Sequence, residues 1–341
     1  MAKFLVTGAK GFIGEYLIQE LLQNGHTVCG VDNFSKYGPS TSAFDDHPNF
    51  TFVESDVSQQ ATWDGLLDDV DILIAGAALI GGISYFHARP FDIISQNEKI
   101  IAQTMSAAIS ARKHHRLERV VVISSSMVFE SATSFPSSEG DELLIPPPAS
   151  AYGFQKLATE YFARAAFSQY ELPFVIVRPF NCVGVGERRS RFDAEVDSGG
   201  IRLAMSHVLP DLAQKILKGQ DPLHILGDGR QVRCYTYGKD LARGIRLASE
   251  SEVAIGEDFN LSTPVATSVL ELAENLWRRV HGSSEPLRLV TDPPFIHDVQ
   301  FRLPNTQKAA DLLGFEATTP LDTVIDQVLP WVADAIERGE I

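Results

Sequence analysis

Cysteine, positive charge and long apolar runs are all scarce in this 341-residue chain. Its three cysteines, Cys29, Cys182 and Cys234, stand far apart, with no CxxC or CxH spacing among them. That excludes the usual structural zinc patterns, so no metal is expected, and an odd number of thiols fits a reducing compartment. Lys and Arg total 29 against 44 Asp and Glu, a formal net charge of −15. Nucleic acid demands a basic face, which this balance disfavours, while a local basic pocket for a diphosphate stays compatible with it. No apolar stretch reaches the roughly 18 residues that a membrane helix needs. The start, Met1-Ala2-Lys3-Phe4, leads into an apolar strand rather than a signal-peptide pattern. A soluble cytoplasmic protein without nucleic-acid or membrane partners is the expectation. Repeats, low-complexity tracts and evident linkers are lacking too.

What is present is an alternation of short apolar runs with longer amphipathic ones. Phe4–Thr7, Thr27–Val31, Phe50–Val53, Asp71–Ile74, Arg119–Ser124 and Phe174–Arg178 read as strands. Helical patterns lie between them, over Glu15–Asn24, Asp92–Ala111 and a stretch beginning near Tyr152. This order predicts an α/β fold, a doubly wound parallel sheet of Rossmann type with helices on both faces. After Pro179 the pattern is less regular. Glu187–Gly200 reads as a polar loop carrying Arg188, Arg189 and Arg191, Leu203–Lys218 as a helix, and Gly227-Asp228-Gly229 as a turn. The expected organisation is a cofactor-binding domain over residues 1–180. A smaller mixed α/β substrate-binding lobe over 181–341 is interleaved with it.

Thr7-Gly8-Ala9-Lys10-Gly11-Phe12-Ile13-Gly14 falls between the first strand and the first helix. Glycines there permit a tight turn, close approach of a pyrophosphate and tight packing of helix on strand. The first amides of the helix then face the phosphates with the positive end of its dipole. The next strand leads to Asp32, placed to accept hydrogen bonds from an adenosine ribose and to repel a 2′-phosphate, which favours NAD over NADP. An acid at that point would alternatively cap a turn. Asp56-Val57, at the end of the third strand, suits the adenine edge.

Tyr152-Gly153-Phe154-Gln155-Lys156 puts a phenol and an ammonium four residues apart on one helix face. A free tyrosine is a poor base at neutral pH. A neighbouring lysine and a positive nicotinamide ring both favour the phenolate. Ser124-Ser125-Ser126 closes the preceding strand, so a serine hydroxyl can share the same substrate oxygen. By itself the Tyr/Lys spacing also describes a half-exposed aromatic beside a solvated lysine.

With these motifs in place, the sequence resembles the extended short-chain dehydrogenase/reductase family, specifically its NAD-dependent nucleotide-sugar epimerases and dehydratases. The marks are TGAKGFIG (Thr7–Gly14), VDNF (Val31–Phe34), SSSMVF (Ser124–Phe129), YGFQK (Tyr152–Lys156) and RPFN (Arg178–Asn181). Gly227–Arg233 and Arg302–Thr306 match later family segments. The resemblance implies Tyr152 as acid/base, Lys156 on the nicotinamide ribose and lowering the tyrosine pKa, and Ser125 as the catalytic serine. It implies a cofactor site of Gly8, Gly11, Phe12, Ile13, Gly14, Asp32, Asn33, Asp56, Val57, Ala77 and Asn97 together with Tyr152 and Lys156. It implies a nucleotide-diphosphate sugar held by Gly82, Ser126, Asn181, Arg233 and Arg302. Arginine suits that task because its planar fork grips phosphate oxygens in pairs. A homodimer through the helices Asp92–Ala111 and Tyr152–Ser168 is implied as well.

The departures from the family narrow the chemistry. Its 4,6-dehydratases carry Asp-Glu where this chain has Ser126-Met127, its decarboxylases a glutamate at Met127, and its 3,5-epimerases a cysteine there. Methionine transfers no proton. Phe129-Glu130 replaces the usual Tyr-Gly, Ala75–Ala78 lacks a common histidine, and the loop Gly81–His87 resembles sugar-contacting loops. The expected reaction is therefore 4-epimerisation through a transient 4-keto sugar. The alternatives are a dehydratase, decarboxylase or oxidoreductase of the same family, and a catalytically silent NAD-sensing protein.

Overall fold

The computed structural model describes residues 1–81, 88–188, 190–191, 196–203, 207–294 and 299–341. Seven parallel strands form the main sheet, in the spatial order Asp258–Leu261, Phe174–Pro179, Arg119–Ile123, Ile72–Ala75, Lys3–Thr7, Thr27–Asp32, Phe50–Glu54. From Lys3–Thr7 the chain winds outward in one direction through Thr27–Asp32. It then crosses back to Ile72–Ala75 on the other side, which opens a crevice at the carboxyl ends of these strands. The doubly wound sheet expected from the alternation is thus present.

Alternating side chains divide the two faces. Phe4 and Val6 of the first strand enter a core under the helices Phe12–Gln23 and Gly238–Glu250. Leu5, pointing the other way, enters a core under Pro90–His114 and Ala151–Tyr170. A third core joins Leu212, Ile216, Leu276 and Val328 from the helices Val208–Leu217, Val269–His281 and Leu321–Glu337. One helix and one strand of the second half, Gly238–Glu250 and Asp258–Leu261, are built into the first core and its sheet.

Several boundaries differ from the sequence reading, each for a local reason. Strand Asp258–Leu261 is absent from the expected set because Asp and Asn, both depleted in strands, fill two of its four positions. Ile201–Leu203 pairs with Val196–Ser198 as a hairpin, so the helix begins only at Val208, and part of the expected polar loop is strand. Strand Arg119–Ile123 stops before Ser124, because Ser125 caps a 3-10 turn over Ser126–Phe129 by accepting the Met127 amide.

A buried ion cluster ties the halves together. Arg178, fully buried, donates Nε and Nη2 to the two oxygens of Glu160 on helix Ala151–Tyr170, each at 2.7 Å. The same guanidinium meets Glu142 of the short turn Asp141–Leu143 at 2.8 Å and Asp258 of the edge strand at 2.6 Å. Burial works to raise Asp258, but Arg178, Lys308 and Arg164 more than offset it, so its carboxyl sits below the usual range. Burial wins at Glu142, which sits above that range despite Arg178. Removing the guanidinium would strand three buried carboxylates. Arg178→Ala is therefore expected to lower unfolding stability by ~3–5 kcal/mol. Urea unfolding followed by circular dichroism measures this, and a loss below about 1 kcal/mol would contradict the role assigned to the cluster.

Candidate active site

The crevice at the strand ends widens into a cleft of about 1010 Å³. Gly8, Gly11, Phe12, Ile13, Gly14, Asp32, Asn33, Asp56, Val57 and Ala77 line one end of it. Ser125, Ser126, Tyr152 and Lys156 stand in the middle, and Asn181, Arg233 and Arg302 line the remainder. Residues from Gly8 to Arg302 therefore line one cleft where the topology reverses. Two predicted residues stand apart. Gly82, with the loop through His87, lies outside the described residues. Asn97 is buried and does not line the cleft, because its side chain is spent on a neighbour. Its Oδ1 accepts the Leu79 amide at 2.6 Å and its Nδ2 donates to the Leu79 carbonyl at 3.0 Å. It braces the chain leaving the fourth strand.

The glycine turn is shaped for an anion. At Gly8 (φ 77°) an added Cβ would come within 3.0 Å of the Gly76 and Ala77 backbone. At Gly14 it would come within 2.2 Å of the Gly8 carbonyl. Helix Phe12–Gln23 begins at Gly11 without a side-chain cap, so its first amides are left for a ligand in the cleft. Asp32 closes the second strand and accepts the Lys10 amide at 3.0 Å and the Phe34 amide at 2.8 Å. Burial raises its pKa, and these amides and the Lys10 charge oppose the rise. Each carboxylate oxygen keeps a further lone pair for a sugar hydroxyl.

Sequence reasoning passed over Lys10. Its ammonium is buried, bonds Ser42 at 2.9 Å and Asp45, and lies 5.3 Å from the ring centres of Phe44 and Phe52. It fastens the segment after the second strand against the turn. Nothing in the local spacing signals this, since its partners are 32 or more residues away.

Helix Ala151–Tyr170 carries Tyr152 and Lys156. Ser150 caps it by accepting the Gly153 amide at 3.0 Å, and Glu130 in turn takes the Ser150 amide at 2.9 Å. Tyr152 is buried against Met127 and Ile93, with Leu79, Ile80 and Val299 beside them. Burial holds its phenol above the ordinary value, opposed by a hydrogen bond with Ser125 and by the charges of Lys36 and Arg302. Lys156 follows one turn along the same helix. Its Nζ donates to the Ile123 carbonyl at 2.9 Å and stands 5.9 Å from the Tyr152 ring centre. Burial pushes the Lys156 ammonium down to about 8, with Glu160 opposing. Lys36, another residue the sequence reading missed, reaches the phenol electrostatically only because the fold brings the second strand's loop across the cleft.

Beyond the phenol the cleft turns cationic. Parallel pairing registers Arg233 with Arg302 on adjacent strands, so two guanidinium residues line the same wall. Arg233 is braced by Nη1 donating to the carbonyls of Val232 at 2.9 Å and Gln300 at 3.2 Å. Asn181 adopts a left-handed conformation (φ 38°) and lines the cleft. Its buried Nδ2 has no hydrogen-bond acceptor among the described residues. Two juxtaposed cations and a waiting amide donor suit a diphosphate. Asp211 and Lys215, one turn apart on Val208–Leu217, also line this end. They went unnoticed because an i, i+4 pair of opposite charge reads as a solvated helix face. Among the described residues no cluster of side chains is suited to a metal ion, and no helix is long and apolar enough to cross a membrane.

Comparison with known proteins agrees with this geometry. The sequence model of the NAD dependent epimerase/dehydratase family matches residues 4–262. An uncharacterized UDP-glucose epimerase of Bacillus subtilis is 30% identical over 351 residues, covering 99% of this chain and 100% of its own. A UDP-N-acetyl-alpha-D-glucosaminuronate decarboxylase of Bacillus cytotoxicus is 25% identical over 333 residues, 96% of each chain. The UDP-glucuronic acid 4-epimerase of Bacillus cereus, solved with UDP-glucuronic acid and NAD, superimposes with a TM-score of 0.80 at 26% identity. That match covers 97% of this chain and 99% of the other. NAD fits the glycine turn and Asp32 described above, and this chain belongs to the NAD-dependent epimerase/dehydratase family.

Proposed function

We propose that the enzyme interconverts nucleotide-diphosphate hexoses by epimerisation at C4, with a UDP-hexose as substrate. The observation that carries this reading is the wall beside the phenol. At the position where lyases of the family carry an acid, Met127 packs its thioether and methyl groups against Tyr152. Glu130, one 3-10 turn further, also lines the cleft and accepts the Ser150 amide through one carboxylate oxygen. Epimerisation needs one proton and one hydride moved at one carbon, and a keto sugar able to turn over between the two transfers. An apolar wall grips no hydroxyl and so leaves the ring able to turn.

NAD, when bound, would accept and return the hydride, and its positive charge would favour the phenolate. Tyr152 takes the C4 hydroxyl proton and later gives it back, with Ser125 hydrogen-bonding the same oxygen. Lys156 holds the nicotinamide ribose, and Asp32 the adenosine ribose. Arg233, Arg302 and Asn181 hold the diphosphate while the sugar turns, so the substrate stays anchored by its charged end. The Bacillus subtilis and Bacillus cereus relatives, named as a UDP-glucose epimerase and a UDP-glucuronic acid 4-epimerase, support the C4 outcome and the uridine base. The Bacillus cytotoxicus decarboxylase supports a second reading within the family, which lacks its acid at position 127.

The enzyme also pairs with a second copy through the helices Pro90–His114 and Ala151–Tyr170. Support comes from large side chains left in solvent on these two helices, with Phe91 78% and Tyr161 57% exposed. Burying such surface contributes roughly 25 cal/mol per Å².

Incubated with UDP-glucose, the enzyme is expected to yield UDP-galactose of unchanged mass, read by proton NMR, and Tyr152→Phe to yield none while still binding NAD. Loss of water or carbon dioxide, or stoichiometric build-up of NADH, would contradict the C4 reading. Because burial depresses Lys156 to about 8, its ammonium is present below that pH and is lost as pH rises through it. A pH–rate profile is expected to show an alkaline limb there, and a profile flat to about pH 10 would remove Lys156's charge from the mechanism. Light scattering at micromolar concentration should give a dimer mass that Tyr161→Glu reduces to a monomer. A monomeric wild type would contradict the pairing.

A further inference from the structure

The catalytic helix grips the end of strand Arg119–Ile123 at two successive points. Lys156 donates to the Ile123 carbonyl at 2.9 Å. One turn further along the helix, Glu160 Oε1 accepts the Ser124 hydroxyl at 2.6 Å. Ser125 is the next residue along the chain. Glu160 is itself immobilised, being 1% exposed and held at both oxygens by Arg178. A carboxylate so placed is costly to bury, and a simple apolar contact would serve packing alone as well.

The groups around Lys156 give this carboxylate a second consequence. From its own helix, Tyr152 and Glu160 approach it. The strand end presents the Ile123 carbonyl, and Ser124 and Ser125 follow it along the chain. Behind Glu160 stand Arg178 of Phe174–Pro179, Glu142 of Asp141–Leu143, Asp258 of Asp258–Leu261, and Arg164 one turn further along the helix. Among these, Glu160 is the group that acts against burial to favour the Lys156 ammonium.

We propose that Glu160 is a positioning residue for the hydride-transfer site. Through Ser124 it determines where Ser125 stands against Tyr152, and its charge, one helical turn from Lys156 at the same strand end, favours the ammonium there. Arg178 extends the constraint to the edge strand from the second half, so the two lobes share one reference point for the reacting groups. This rests on the roles given above to Ser125, Tyr152 and Lys156.

The test compares wild type, Glu160→Gln and Ser124→Ala, each loaded with NAD. Glu160→Gln keeps the size and an acceptor for Ser124 but removes the charge. Its alkaline limb in the pH–rate profile with UDP-glucose should move down by about one unit, with KM changed less than about twofold. The same downward move should appear in the pH dependence of NAD affinity by calorimetry, which needs no turnover. Ser124→Ala should lower kcat about tenfold while leaving the limb in place. A Glu160→Gln limb coinciding with that of wild type would overturn the proposal, as would wild-type kcat in Ser124→Ala. The serine variant decides the matter if the glutamine variant fails to fold. A wild type inactive on UDP-glucose whose NAD-affinity limb still moves with Glu160→Gln would overturn the UDP-hexose reading alone.

Discussion

Arg178 lies between three carboxylates that reach it from three separate stretches of chain, and the geometry of the cleft depends on that meeting. Glu160 belongs to the catalytic helix, Glu142 to the connection before it, and Asp258 to the last strand of the sheet. Bringing these charges out of water is expensive, and their mutual attraction offsets the cost only in one arrangement. What the cluster supplies is therefore a single allowed register between helix and strands rather than a large net stability. Arg178 also stacks on the ring of Phe129, at 5.2 Å, so the 3-10 turn bearing Met127 is held in the same register.

From that register the cleft acquires a graded character. At one end, backbone amides and close-packed glycines favour phosphate, and Asp32 closes the second strand beside them. In the middle, burial makes both ionisable groups sensitive to their neighbours, because Tyr152 is held up and Lys156 is brought down towards neutrality. At the other end, two registered arginines and the left-handed Asn181 line the wall. Tight binding at both ends and an apolar wall in the middle are what a reaction requires when the sugar must turn between two hydride transfers. The alternation of the first strand, one face to each core, is what allows helices from both halves to cover a single sheet.

Much of this was legible in the sequence where the chemistry is local. The glycine turn, Asp32 and the Tyr152/Lys156 pair depend on short spacings, and the family resemblance expected from them is what the comparisons found. Illegible were the features that depend on what a side chain does after the chain has folded. Asn97 is expected near the cofactor, and only the fold reveals that both ends of its amide bond Leu79. Lys36 and Arg302, whose charges bear on the phenol, come from segments distant in the sequence. Glu160 and Arg178 each carry a motif position or a helical spacing, but only the fold places them together beneath the serines.

The central claim is that hydride leaves and returns at the same carbon within one bound complex. The most direct measurement uses UDP-glucose deuterated at C4 of the glucose, followed by NMR of the product in ordinary water. The account predicts UDP-galactose with deuterium still at C4, since the cofactor exchanges nothing with solvent between the two transfers. Product carrying hydrogen at C4, or deuterium found elsewhere in the sugar, would contradict it.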